Sequence, residues 1–303
     1  MSTHSAALPY PRGKGIVLVL IAALLWGVSG TVAQYLFHRE GFTASWLCVI
    51  RLIIAGAGML LFASTAGKQN IWSPLKNKHD VFQLLVFGIF GMLAVQFSYF
   101  AAIEHGNAAT ATILQYVAPV IIASYLCFRA RKWPVKYEVV AIVAALLGTF
   151  LLVTKGNIHA LSISGAAFFW GIVSAFALAF YTLYPINLLA RWGSLVTVGW
   201  GMMIGGIGFS LISPPWQVEG HWSLNSFLAI LFVVIFGTII AFFCFMESLK
   251  YIRASEASLL ACAEPLSAAF LAVAWLGVPF SAVEWLGAAL IIATIFLLSF
   301  VKK

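Results

Sequence analysis

Charge is what this chain has least of. Of 303 residues, 17 are Lys or Arg and 9 are Asp or Glu, together 9%, where a soluble domain carries about 25%. Aspartate occurs once, as Asp80. With 63% hydrophobic residues and a mean hydropathy of +1.02, the composition excludes an ordinary soluble fold. Cysteine is scarce too: Cys48, Cys127, Cys244 and Cys262 each fall inside an apolar run, without CxxC or Cys/His spacing. Neither a zinc site nor a disulfide framework is expected from them. His4, His38, His79, His105, His159 and His221 all lie in tails or between apolar runs, so no metal ligand or base is expected at membrane depth. A Gly-rich phosphate loop is missing, which argues against an ATP-driven pump. A nucleophile with a placed base is missing as well, so the chain is not expected to be an enzyme or to need a cofactor.

What is there are runs of about 20 apolar residues, the length that crosses a bilayer as a helix. Ten can be drawn, near 15–37, 44–65, 81–103, 108–128, 135–154, 164–186, 194–213, 225–248, 255–276 and 282–301. The first follows a basic start but is too long for a signal-peptide core, and reads as a retained span. With the N-terminus inside, 14 of the 17 basic residues fall on the inner side, Arg39 and Lys155 on the outer, and Arg51 within the second run. Basic residues accumulate on the cytoplasmic side, so both termini are expected there, in a multi-pass protein of the cell membrane. The net charge of +8 then faces anionic inner-leaflet lipid rather than nucleic acid.

Sliding the chain by about 146 residues sets Pro119 on Pro265, Ala123 on Ala269 and Glu138 on Glu284. A slide of about 150 sets Gly56 on Gly206 and Gly58 on Gly208. Loops that correspond in this way carry opposite charge bias: Lys250 and Arg253 follow the eighth run, whereas the loop after the third holds Glu104. Five spans per half, an odd number, force the halves to run in opposite senses. The expected fold class is an all-α polytopic membrane protein: ten helices, two inverted five-helix repeats (12–157 and 161–301), one membrane domain over 1–303, and a central cavity at the repeat interface.

The stretch 255–274 holds a carboxylate and an imide midway, Glu264 and Pro265. A charged group at the centre of a lipid-embedded helix costs about 2.5–3.5 kcal/mol, so such a residue faces a cavity or a partner. Nine residues at 1.5 Å each put Glu264 roughly 14 Å from the inner edge of a ~30 Å core. The carbonyl freed by Pro265 needs a neighbour. Arg51, roughly 11 Å from the outer edge on the same arithmetic, is within reach as an ion-pair partner or as a structural tie to backbone carbonyls.

These residues carry a family resemblance. Leu25-Trp26-Gly27, Arg51-Leu52 with Ala55, and Tyr116-Val117-Ala118-Pro119-Val120 stand in the first half. Ala177-Leu178-Ala179-Phe180-Tyr181, Glu264-Pro265-Leu266 and Glu284-Trp285-Leu286-Gly287-Ala288 stand in the second. The chain resembles the drug/metabolite transporter superfamily, specifically the ten-span EamA-type exporters, over nearly its whole length. It departs from them at Lys132 and Val278, where the family often has Glu. Small four-span relatives rely on a Glu in span one, and 15–37 holds no carboxylate. The resemblance implies a cavity lined by spans one, three, four, six, eight and nine, and export of small metabolites or drugs.

The expected substrate-binding residues are Trp26, Tyr99, Gln115, Tyr116, Tyr181 and Glu264, polar and aromatic handles suited to an amphipathic or cationic solute. Glu264 and Arg51 form the expected coupling or structural ion pair, and Pro119 and Pro265 a matched pair of hinges. The glycines of span seven and the Gly56/Gly58 pair read as close helix contacts. Glu138 and Glu284 read as helix-dipole partners, and Glu247 and Glu256 as contacts to lipid headgroups or partners of Lys250 and Arg253. The expected function is secondary transport of an amino acid, amine or similar solute, in the export direction, with a passive facilitator or a non-transporting sensor as alternatives. Expected partners are the solute and the bilayer, with proton coupling and the choice of monomer or homodimer left open.

Overall fold

A computed structural model describes residues 12–131, 133–155, 157, 163–252, 257, 260–261 and 263–299. Every regular element among them is helical. Seven helices are long and apolar enough to cross a membrane: α1 (Arg12–His38), α2 (Ala44–Thr65), α3 (Lys78–Glu104), α4 (Ala108–Ala130), α5 (Lys136–Thr154), α6 (Gly165–Leu183) and α8 (Leu224–Ser248). Three apolar helices are shorter: α7 (Ser194–Ser210), α9 (Ala263–Ala274) and α10 (Ala282–Ser299). Their outer faces carry Leu61, Phe90, Leu146, Phe176 and Phe270, all exposed, as hydrocarbon rather than water would favour. This is a multi-pass integral membrane protein.

Polar residues set the helix ends. Thr43, Asn107, Ser164 and Ser223 each accept from a first-turn amide, which satisfies donors that the helix leaves open. Glu138 and Glu284 occupy the first turns of α5 and α10 and accept from the amides of Val135 (2.8 Å) and Ser281 (2.7 Å). Lys155 adds an ion pair to Glu284 at 3.3 Å.

Small residues set the pairing. Helix α2 packs on α7, α5 on α10, α1 on α8 and α9, and α6 on α3 and α4. A Cβ at Gly56 would come within 3.0 Å of the Gly199 carbonyl, and one at Gly206 within 3.0 Å of Leu52. The glycines of α7 thus bring backbones together, as read from the sequence. Gly148 and Gly287 do the same between α5 and α10, each facing the other's carbonyl at 2.7 Å from an added Cβ.

Both long connections are pinned by an indole. Trp200 of α7 donates to the Ile71 carbonyl at 2.7 Å, and Trp46 of α2 donates to the Pro215 carbonyl at 2.9 Å. Asp80 stands one residue before the third apolar run drawn from the sequence. It lies in the first turn of α3, fully buried, bonded to Arg191 Nη1 at 2.5 Å and Trp192 Nε1 at 3.1 Å. Arg191 and Trp192 end a short helix, Ile186–Trp192, that the apolar pattern did not reveal.

Candidate functional site

The site is built around two interrupted helices. Helix α4 is regular over Ala108–Gln115 and again over Ala118–Ala130, with turns at Tyr116 and Val117 between. Pro119 stands just inside the second piece, where its missing N–H is not needed. In the second half Ala261 is in a turn and α9 begins at Ala263, with Glu264 in its first turn and Pro265 next. The sequence placed Glu264 midway along one continuous helix. The structure instead interrupts the run, helical at Ala257 and Leu260, and opens a new helix at Ala263, because the proline costs little at a helix start and about 3 kcal/mol inside one.

Tyr116 closes the arrangement. Its hydroxyl donates to the Ala261 carbonyl at 2.9 Å, the group that Pro265 leaves without its helical donor. It also lies 3.1 Å from Glu264 Oε2. No described group bonds Glu264 Oε1, which belongs to a cavity-lining side chain. One tyrosine in the first half thus satisfies the break in the second and holds its carboxylate.

The cavity has a volume of about 1230 Å³. All six expected substrate-binding residues line it: Trp26, Tyr99, Gln115, Tyr116, Tyr181 and Glu264, with Arg51 and Pro119. Pro265 is buried in α9 outside the lining. Trp26 meets Phe242 and Phe245 at ring centroids of 5.3 and 5.4 Å, and Tyr181 stacks on Phe87 at 5.7 Å. The Tyr99 hydroxyl pairs with Thr112 Oγ1 at 2.8 Å, with Gly30 leaving room for it on α1.

Arg51 and Glu264 share the cavity but form no ion pair; the described ion pairs are Lys155–Glu284, Arg191–Asp80 and Lys250–Glu247. Arg51 Nε donates to Thr238 Oγ1 at 2.6 Å and Nη2 to the Gly237 carbonyl at 3.3 Å, with the guanidinium 5.0 Å from the centre of the Phe100 ring. This is the tie to a neighbouring helix, the other of the two roles the sequence left open. Its anchor is a π-helical stretch in α8, Phe232–Ile240, whose wider turn displaces carbonyls from the regular ladder. A matching stretch, Phe87–Leu93, interrupts α3.

From Gly30, Arg51 and Tyr99 the lining runs one way, past Leu126 and Thr182 to Trp133 and Val135, both exposed beside Arg131 and Lys136. The cavity therefore opens at the end bearing the basic loops. The other end is shut. Gln34 Oε1 accepts from the Ala108 amide at 2.8 Å, Glu104 Oε1 from the Ala44 amide at 3.0 Å, and His38 Nε2 donates to the Glu104 carbonyl at 2.9 Å. Tyr35 stacks on Trp275 at 5.9 Å and bonds Glu40, above a packed layer of Leu36, Phe37, Phe100 and Ile103.

Sequence reasoning missed Gln96, Phe242 and Phe245 in the lining and Thr238 under Arg51. Gln96 and Thr238 each interrupt an apolar run, which is signal enough to have drawn attention. Cys262, Arg253, Glu256 and Lys132 lie outside the described residues.

A helical membrane bundle around a chamber open at one end, with an acidic side chain in its wall, has the build of a membrane transporter. Comparison gives the family: the EamA-like transporter family matches residues 13–154 and 165–300. The chain belongs to that family, within the drug/metabolite transporter superfamily. It is 43% identical over 289 residues to YicL of Salmonella typhimurium, an uncharacterized inner membrane transporter, covering 94% of this chain and 95% of that protein. It is 29% identical to YwfM of Bacillus subtilis, an uncharacterized transporter, over 93% of each. A solved crystal structure with 19% identity shares the fold, with a TM-score of 0.63 over 95% of this chain and 97% of that one.

Proposed function

We propose that the chain is a ten-span secondary transporter that exports a small amphipathic metabolite (an amino acid, amine or similar solute) across the cytoplasmic membrane by alternating access. The observation that carries this reading is the placement of Glu264. It stands at the start of a half-helix, in the wall of a chamber open at one end and packed shut at the other. A carboxylate kept at such a place is a binding or coupling group by default.

The inverted-repeat arrangement is supported by which helices meet. If α1 corresponds to α6, α3 to α8 and α4 to α9, then the α1 contacts with α8 and α9 mirror the α6 contacts with α3 and α4. The pairs α2–α7 and α5–α10 are each their own mirror image. The two π-stretches and the two helix breaks fall at corresponding places. The open end carries Arg129, Arg131, Lys136 and Arg191, which the positive-inside rule assigns to the cytoplasm. The termini then lie inside, and the chamber faces the pool from which an exporter loads. The Salmonella relative is named an inner membrane transporter, which fits a cytoplasmic-membrane location.

The test is counterflow in proteoliposomes with labelled amines and amino acids, wild type against Glu264→Gln. The wild type should exchange at least one of them, and the variant should fall below about one-tenth of that rate while eluting as the same folded species. Wild-type exchange by Glu264→Gln would remove Glu264 from the mechanism. Accumulation driven by an imposed pH gradient marks proton coupling, and indifference to the gradient marks a facilitator.

A further inference from the structure

Two amides in the cavity wall are left without partners. Gln96 on α3 and Gln115 on α4 are 7% and 8% exposed, and both line the chamber. Among the described residues no hydrogen bond reaches either side chain. Gln34, buried to the same degree on α1, is by contrast fixed by the Ala108 amide. Neither is among the buried polar atoms left unpartnered, so both amides open onto the chamber, where something that enters it can bond them.

The rest of the wall says what enters. The positions 146 residues beyond Gln96 and Tyr99 are Phe242 and Phe245, so the α3 side is polar where the α8 side is aromatic. Trp26 lies against both phenylalanines, giving an apolar bed for a hydrophobic body. Glu264 Oε1 offers a free acceptor for an ammonium group. An amide donates and accepts at once, which matches a carboxamide or hydroxyl. A carboxylate would fit poorly. Arg51, the cation of the described lining, is tied to Thr238 and Gly237 through Nε and Nη2. At the glutamines a carboxylate would meet two neutral amides and bring a second negative charge into the wall that holds Glu264.

We infer that Gln96 and Gln115 are the specificity-determining pair for an amine that carries an uncharged donor–acceptor group, carboxamide or hydroxyl, on an aromatic or bulky apolar body. This rests on the transporter reading of the same cavity. Four probes of one skeleton test it by calorimetric titration of the purified full chain: phenylalaninamide, phenylalaninol, phenethylamine and phenylalanine. The first two should bind about 10-fold tighter than the last two. In Gln96→Met and Gln115→Met the ratio of phenylalaninamide to phenethylamine affinity should fall toward one. If either Met variant does not fold, the Gln→Ala variant at the same position, which also lacks the amide, reads the same ratio.

Tightest binding by phenylalanine, an unmoved ratio in both glutamine variants, or no binding by any probe overturns the proposal. An unmoved ratio alongside loss of phenethylamine binding in Glu264→Gln sinks this inference and spares the transporter reading. Binding with the expected ratio but no counterflow of any bound probe does the reverse.

Discussion

The hydroxyl of Tyr116 meets a need created by a proline in the other half of the chain. Pro265 removes the regular helical donor for the Ala261 carbonyl, and Tyr116 joins the Glu264 amide in bonding it while touching the Glu264 side chain. Tyr116→Phe removes one of the two donors to that carbonyl and leaves the Glu264 amide, so the apparent stability should drop by about 0.5–1.5 kcal/mol, read as a lower unfolding midpoint in detergent. Counterflow should fall too, since Glu264 loses the group that positions it. Arg51 sets a parallel test. Thr238→Val keeps the shape but strips the acceptor from Arg51 Nε, again at about 1–3 kcal/mol, and a stability equal to wild type would show that Thr238 anchors nothing. Charge made Glu264 and Arg51 legible in the sequence, because an ion in an apolar run calls for explanation. What Arg51 bonds to was not legible. Its choice of Thr238 depends on a local π-turn, which no short-range pattern announces.

At the scale of elements, spacing was easy to read and interruption was not. The long spans stand out because a bilayer dictates the length of an apolar run. The breaks in α4 and just before α9 fall within such runs, with a proline as the visible mark. Pro119 and Pro265 pointed to kinks, but the sequence kept Glu264 inside a helix where the chain opens one. The short Ile186–Trp192 helix was hidden because it has no apolar run of its own. The α5–α10 pair depends on two glycines in backbone contact. Gly148→Leu should force these helices apart and lower stability by about 1–3 kcal/mol or more, seen as reduced folded yield on size exclusion. The same substitution at Gly165, where an added Cβ meets nothing within 4 Å, is the matched control and should leave the yield unchanged.

At the scale of the molecule, the apolar runs announce a helical membrane bundle, but not which end stands open. The residues that line an access path and those that seal it are the same in either state, so composition is silent on the choice. Cys127 reports on it directly. It lines the cavity toward the basic end, its thiol donating to Glu138 Oε2 at 3.2 Å. In a variant whose other cysteines are alanine, a membrane-impermeant maleimide should label Cys127 in inside-out vesicles and spare it in spheroplasts. The opposite pattern would invert the topology.

The packing partners carry a mechanical consequence. Helix α1 leans on α8 and α9, and α6 leans on α3 and α4, while the indole clasping each long loop belongs to the opposite half. Under the proposed rocking cycle, neither solid body is a stretch of continuous polypeptide; each is a braid of both halves. Severing the chain near residue 160 would then yield two fragments inert alone and competent only when made together.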